Sequence, residues 1–136
     1  MGFLIELLFS LSVMWSGVLQ LTSYGIDNPH RVRVSWYDTG HTTANGESFD
    51  PNGLTYASHL PFNTVLVVEA EGRTLRLRGN DRGPFATDST GKAVYPLRPH
   101  PTRKLDLSRA AFTKLFRDRS IGVGYVKIIR VEWERT

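Results

Sequence analysis

Three polar clusters in otherwise irregular stretches carry the residue types that acid–base chemistry needs. They are Thr43-Ala44-Asn45-Gly46-Glu47, Asn80-Asp81-Arg82-Gly83-Pro84-Phe85 and Leu105-Asp106-Leu107-Ser108. Carboxylates converging on a groove are the minimum equipment for cutting a glycosidic bond. One carboxyl must be protonated near neutral pH to give a proton to the leaving oxygen, while another stays charged to stabilise an oxocarbenium-like transition state. Each candidate also has a plainer explanation. Asp81 sits in a Gly-Pro turn, where Asp commonly bonds the backbone. Asp106 and Ser108 precede a helix, where capping accounts for either. Glu47 follows an Asn-Gly turn that presents its side chain, yet a solvated loop Glu fits equally well. His59, in Ala57-Ser58-His59-Leu60-Pro61-Phe62, serves as readily as a buried hydrogen-bonding group as a catalytic one. His41 is a candidate for lining a groove; His30 and His100 read as loop residues. No histidine pair has a metal-ligand spacing, and no phosphate loop or Gly-x-Ser-x-Gly elbow occurs.

The elements that must position these residues are mostly strands. Arg31 to Tyr37 alternates Val32, Val34 and Trp36 with Arg31, Arg33 and Ser35, the period of a half-buried strand. Residues 38–63 lack periodicity and read as loop with short strands. Thr64 to Ala70 is a β-branched run, Glu71-Gly72 a tight turn, and Arg73 to Arg78 a second alternating strand, together the clearest hairpin. Residues 79–104 are turn-rich, and a loop that long in a small domain is usually functional or mobile. A helix is expected from Ser108, a fair N-cap, to Arg119, with Ala111, Phe112, Leu115 and Phe116 on one face and Gly122 and Gly124 stopping it. Tyr125 to Trp133 reads as a closing strand. Arg31, Arg33, Arg76 and Arg78 read as solvated strand faces. The sum is a mainly β domain with one helix, suggesting a closed barrel.

The 136 residues, about 40% hydrophobic, suffice for one compact domain. A formal charge of +4, from 17 basic and 13 acidic residues, favours an anionic partner without selecting one. No basic run interleaved with aromatics marks a nucleic-acid groove. Cysteine is absent, which excludes disulfides, a thiol nucleophile and a Cys-based zinc site. Leu7 to Leu19 is an apolar run too short to span a bilayer comfortably but in range for a signal-peptide core. Glu6 at its edge and the absence of a preceding Lys or Arg count against a clean signal, and Ser16, Gly17 and Ser23 offer mediocre cleavage sites. The expected organisation is a signal or anchor-like segment at 1–25, a linker at 26–30 and a barrel at 31–134. Peripheral or anchored membrane association would run through residues 1–22.

Taken in order, the motifs resemble the rare lipoprotein A family of lytic transglycosylases, which fold as a six-stranded double-psi β-barrel. The matching string comprises Val34-Ser35-Trp36-Tyr37, Thr43 through Asp50, Leu54 through Thr64, Asn80 through Phe85, and Leu105 through Ala111. The resemblance implies cleavage of the bond between N-acetylmuramic acid and N-acetylglucosamine in peptidoglycan glycan strands, with a 1,6-anhydro ring formed and no metal or cofactor used. It places the catalytic carboxylates on Glu47 and Asp81, with Asp106 matching an Asp-Leu-Ser motif that expansin barrels retain. His59 matches a groove histidine, and Tyr37, Asn45, Asn80 and Arg82 fall in motifs expected to bind substrate. Arg82 is either close enough to lower the pKa of Asp81 or turned away. The implied protein is an exported monomer of the periplasm or cell envelope, with no nucleic-acid partner.

Three departures qualify the resemblance. The Tyr37–Thr43 connection is shorter than usual, which lowers one wall of the groove. Residues 86–104 form a Pro-rich, basic insertion able to cover or extend it. Neither a lipid-attachment cysteine nor a carboxy-terminal glycan-binding repeat is present, so septal targeting and lipoprotein anchoring do not carry over. The competing expectations are an expansin-like barrel that binds or loosens wall polysaccharide without cutting it, and an inert interaction barrel. Glu47 beside Asp81 and Asp106 argues against the expansin-like barrel.

Overall fold

The computed structural model describes residues 20–134. The alternating segments become six strands: β1 (Val32–Tyr37), β2 (Thr55–Ala57), β3 (Val65–Ala70), β4 (Arg73–Asp81), β5 (Arg103–Ser108) and β6 (Val123–Glu132). They close into a barrel in the order β1-β5-β2-β4-β3-β6. The β1–β5 and β2–β4 pairs are parallel and the other four antiparallel. Closure removes every sheet edge, so a chain with short strands exposes no unpaired ladder. The β3–β4 hairpin forms as its sequence predicts. Glu71 and Gly72 both take positive φ, 51° and 76°, the two-residue turn whose twist suits the flanking strands.

Alternation fills the barrel. Val32, Val34, Leu66, Val68, Leu77, Leu105, Leu107, Val126 and Ile128 are buried inside it. Tyr56 is also fully buried and donates its hydroxyl to the Thr64 carbonyl at 2.7 Å. Gly79 makes room for it, since a Cβ there would lie 2.9 Å from the tyrosine ring. Helix α1 (Arg109–Phe116) packs Ala111, Phe112, Leu115 and Phe116 into the same core. Ser108 caps it, accepting from the Ala111 N–H and donating to the Gly53 carbonyl. The helix is shorter than the expected reach to Arg119. Arg117 turns to φ 61° and returns its N–H to Thr113, ending the helix before Gly122. Gly124 serves packing, because a Cβ there would meet the Phe116 ring at 2.6 Å.

Two expectations change. Residues 79–104 are more ordered than a loop: β4 runs on to Asp81 and β5 begins at Arg103. Between them Phe85 bridges Pro99 and Thr87 bridges Ala93, so the insertion folds back on itself as a narrow arm. Residues 20–30 pack with the barrel rather than standing off it as a linker. Gln20–Tyr24 forms a 3-10 turn, Leu21 and Ile26 are core residues, and Tyr24 lies 5.9 Å from Trp133, ring to ring. The apolar run Leu7–Leu19 lies outside the described residues. Among those described, no helix is long and apolar enough to cross a membrane.

Candidate active site

Leu105 and Leu107 face the core, so alternation turns Asp106 to the outer surface of β5. Asp106 pairs with Ser35 on β1 on one side and with Ala57 on β2 on the other. Ala57 in turn pairs with Asp81 on β4. Ser35, Asp106, Ala57 and Asp81 therefore form one row around the barrel, with the two aspartates two strand spacings apart, roughly 10 Å at Cα. Asp81 joins this row through a bulge. Tyr56 faces Gly79 but Ala57 faces Asp81, leaving Asn80 as an extra residue. Arg76, Arg78 and Asn80 already share the outer face by alternation, and the bulge adds Asp81 to it.

The aspartates occupy different environments. Asp81 Oδ1 accepts the backbone N–H groups of Ala44 and Arg82, both at 2.9 Å, and Oδ2 accepts the Tyr37 hydroxyl at 3.1 Å. Three donors converge on this carboxyl group. Asp106 is more deeply placed, and burial pushes its carboxyl above the ordinary carboxylate range, with the Asp81 charge adding to the effect. The Ser35 hydroxyl, Arg103 and His100 work in the opposite direction without cancelling it. Arg103 donates to Ser35 Oγ at 2.9 Å, and Ser35 donates to Asp106 Oδ1. Because guanidinium only donates, the serine proton is directed at the carboxylate. The other oxygen, Oδ2, lies beside the Gly83 turn, 3.8 Å from where a Cβ at that residue would stand. Tyr37 feels both aspartates. Burial, then the charge of Asp81, holds its hydroxyl in the protonated form well above the usual phenol range. Its ring stacks on Phe49 at 4.6 Å.

Glu47, in contrast to the two aspartates, is paired with a cation, Arg78. The guanidinium grips both carboxylate oxygens, at 2.5 and 2.7 Å, while Asn45 donates to one and Asn80 to the other. These bonds, Arg78 first, lower its pKa from 4.5 to about 2. The loop is stitched to β4 besides, through the Asn45 N–H to the Asn80 carbonyl. Asn45 and Asn80 thus position Glu47.

Arg82 turns away from Asp81: its guanidinium donates to the Leu60 carbonyl at 2.9 Å and stacks 3.7 Å over Phe62. His59 Nε2 lies 3.2 Å from the Pro84 carbonyl and its ring meets Phe85 edge-on. It lines a neighbouring cleft with His100 and Arg103, and its ring hydrogen-bonds the Pro84 carbonyl instead of either aspartate. His41 is exposed. Among the described residues no group of His, Asp and Glu could hold a metal ion. Three participants escaped the sequence reading. Ser35 and Arg78 looked like solvated strand positions, and Arg103 lay in what read as loop. The Leu105-x-Leu107 alternation was the available signal for β5, and it would have turned Asp106 outward instead of into a cap.

The family model described as lytic transglycolase matches residues 30–128. An endolytic peptidoglycan transglycosylase RlpA of Pseudomonas aeruginosa is 36% identical over 108 residues, 72% of this chain and 28% of that protein. Its counterpart in Yersinia pestis is 42% identical over 80 residues, 56% of this chain and 18% of that one. The chain thus spans under a third of the length of these curated relatives. Among solved structures, a Streptomyces papain inhibitor superposes with a TM-score of 0.51 at 23% identity, covering 74% of this chain and 93% of that one. A Clavibacter michiganensis expansin mutant in complex with cellohexaose gives 0.52 at 17%, covering 79% and 52%. Both are likenesses of fold. With its motifs in order on a closed six-stranded barrel and most of its length matched, the chain belongs to the lytic transglycolase family as an RlpA-like double-psi β-barrel.

Proposed function

We propose that the protein is a peptidoglycan lytic transglycosylase in which Asp106 supplies the proton and Asp81 the stabilising charge. The observation that carries this reading is the outer-face row itself, with a carboxyl raised by burial set near a carboxylate held by three donors. Asp106 protonates the glycosidic oxygen of the leaving N-acetylglucosamine as the bond to muramyl C1 breaks. The Asp81 carboxylate offsets the positive charge that develops at C1 and its ring oxygen. The muramyl C6 hydroxyl attacks C1, its proton passes to the Asp106 carboxylate, and a 1,6-anhydro ring results. Tyr37 fixes Asp81, its ring backed by Phe49. Glu47 is anionic under all ordinary conditions, so it shapes the groove wall. This replaces the division of roles between Asp81 and Glu47 that the motifs imply. We place the protein in the cell envelope because that is where such a substrate lies.

The expansin-like reading has one observation in its favour. Glu47, the residue that sets the motifs apart from expansins, has both carboxylate oxygens engaged by Arg78. The test is mass spectrometry of material released from sacculi by the wild type, Asp106→Asn and Asp81→Asn. Anhydromuramyl products from the wild type alone support the lytic reading. Reducing-end products mean that water is the nucleophile. Intact binding with no product from any protein selects the expansin-like barrel.

A further inference from the structure

Two contiguous clefts of about 310 and 300 Å³ run along the β1–β5 seam, sharing Gly25 and Lys104. Arg31, Arg33 and Lys104 line the first; Lys104, Arg103, His100 and His59 line the second. The one acid in either wall is Asp27. Among the described residues, Arg31, Arg33 and Lys104 enter no ion pair.

The cations are held in place. The Arg31 guanidinium lies 3.8 Å over the Tyr125 ring, and Arg33 donates to Thr102 Oγ1 at 3.2 Å. His100 Nδ1 accepts the backbone N–H groups of Thr102 and Arg103, so the neutral ring carries its proton on Nε2 as a further donor. Burial, then Arg103 and Arg33, holds the ring below the ordinary imidazole pKa, with Lys104 contributing. Positive groups gathered around one cleft repel each other in the free protein, and an anion relieves that repulsion. The second cleft is linked to the outer-face row through Arg103, which lines it and donates to Ser35 beside Asp106.

We propose that the β1–β5 seam is a carboxylate-binding subsite that takes the acidic substituents of the glycan strand as its backbone crosses Asp81 and Asp106. This rests on the peptidoglycan reading for its substrate, but not on cleavage. On a peptide-stripped strand the ligand is the lactyl carboxylate of muramic acid; on an intact strand it is a carboxylate of the stem peptide. Arg33 and Lys104 supply charge-assisted hydrogen bonds, with Arg33 suited to a two-point grip.

The test measures binding at 4 °C to immobilised peptide-stripped strands, intact strands, and each after carbodiimide amidation of its carboxylates. The wild type should bind unmodified strands about tenfold more tightly than amidated ones, a preference that shrinks as salt is added. Arg33→Gln with Lys104→Gln should bring the ratio close to one, while Arg33→Lys with Lys104→Arg keeps most of it. A preference confined to stripped or to intact strands assigns the lactyl or the peptide carboxylate. Equal wild-type affinity for amidated and unmodified strands, or a preference that survives the double glutamine variant with its melting transition intact, overturns the proposal. A protein that keeps the preference but releases no fragments sinks the lytic reading and leaves the subsite standing.

Discussion

Glu47 and Asp106 are both acidic side chains on the outer surface of one small barrel, and their surroundings drive them in opposite directions. Glu47 is half-exposed and clamped by Arg78, Asn45 and Asn80, which keeps it ionised down to about pH 2. Asp106 is largely buried, has Arg103 no closer than 3.9 Å, and sits near a second carboxylate, so its proton is harder to remove. Motif membership ranked the two together; partner geometry and solvent access separate them.

The largest expected effect tests the acid. Asp106→Asn should lower glycan cleavage by about 10²–10⁴-fold, the span of a general acid's contribution, with the melting transition retained. Glu47→Gln should cost less than about tenfold, measured on the same sacculi, because it loosens a wall without removing a reacting group. If the Glu47 variant loses as much as the Asp106 variant, the contrast collapses and Glu47 must act on substrate.

Stability should separate them with opposite signs. Glu47 has a depressed folded pKa, so its contribution is present above about pH 4.5 and disappears as pH falls toward 2. Glu47→Gln should therefore lower Tm by roughly 2–5 °C at neutral pH, since a pair this exposed contributes about 1 kcal/mol or less. The deficit should vanish in acid. Asp106 has a raised folded pKa, so the fold favours its protonated form and loses stability as pH rises through that pKa. Asp106→Asn should match the wild type in acid and melt higher than it at neutral pH. Calorimetry across pH 2–8 reads both, and two variants moving the same way would end the comparison.

The smallest effect concerns the hydroxyl that aims at Asp106. Ser35→Ala removes a donor that favours the charged carboxylate, so the Asp106 pKa rises further. The alkaline limb of the cleavage profile should then move up by about half to one pH unit. A lower rate with an unmoved limb would reduce Ser35 to a packing residue.

Much of this architecture was legible in the residues. Alternation at Val32–Trp36 and Thr64–Arg78 marked strands, Glu71-Gly72 marked the hairpin turn, and Ser108 marked the cap, because these depend on neighbours within a few positions. The ordered motifs also placed Asp81 and Asp106 among the reactive candidates. Boundaries read less well. Leu21 and Ile26 were assigned away from the barrel because an apolar segment ahead of a folded domain looks the same whether it is exported, anchored or packed.

What only the tertiary structure decided is which charges meet. Ser35 touches Asp106 across 71 positions because β1 and β5 pair in parallel, and Glu47 meets Arg78 across 31 because its loop folds over β4. The bulge at Asn80 turns Asp81 onto the face of Asp106, a change of side that no alternation pattern announces. Residue type and local spacing are enough to nominate an acid. Its protonation state is set by distance and burial, and those exist only once the barrel has closed.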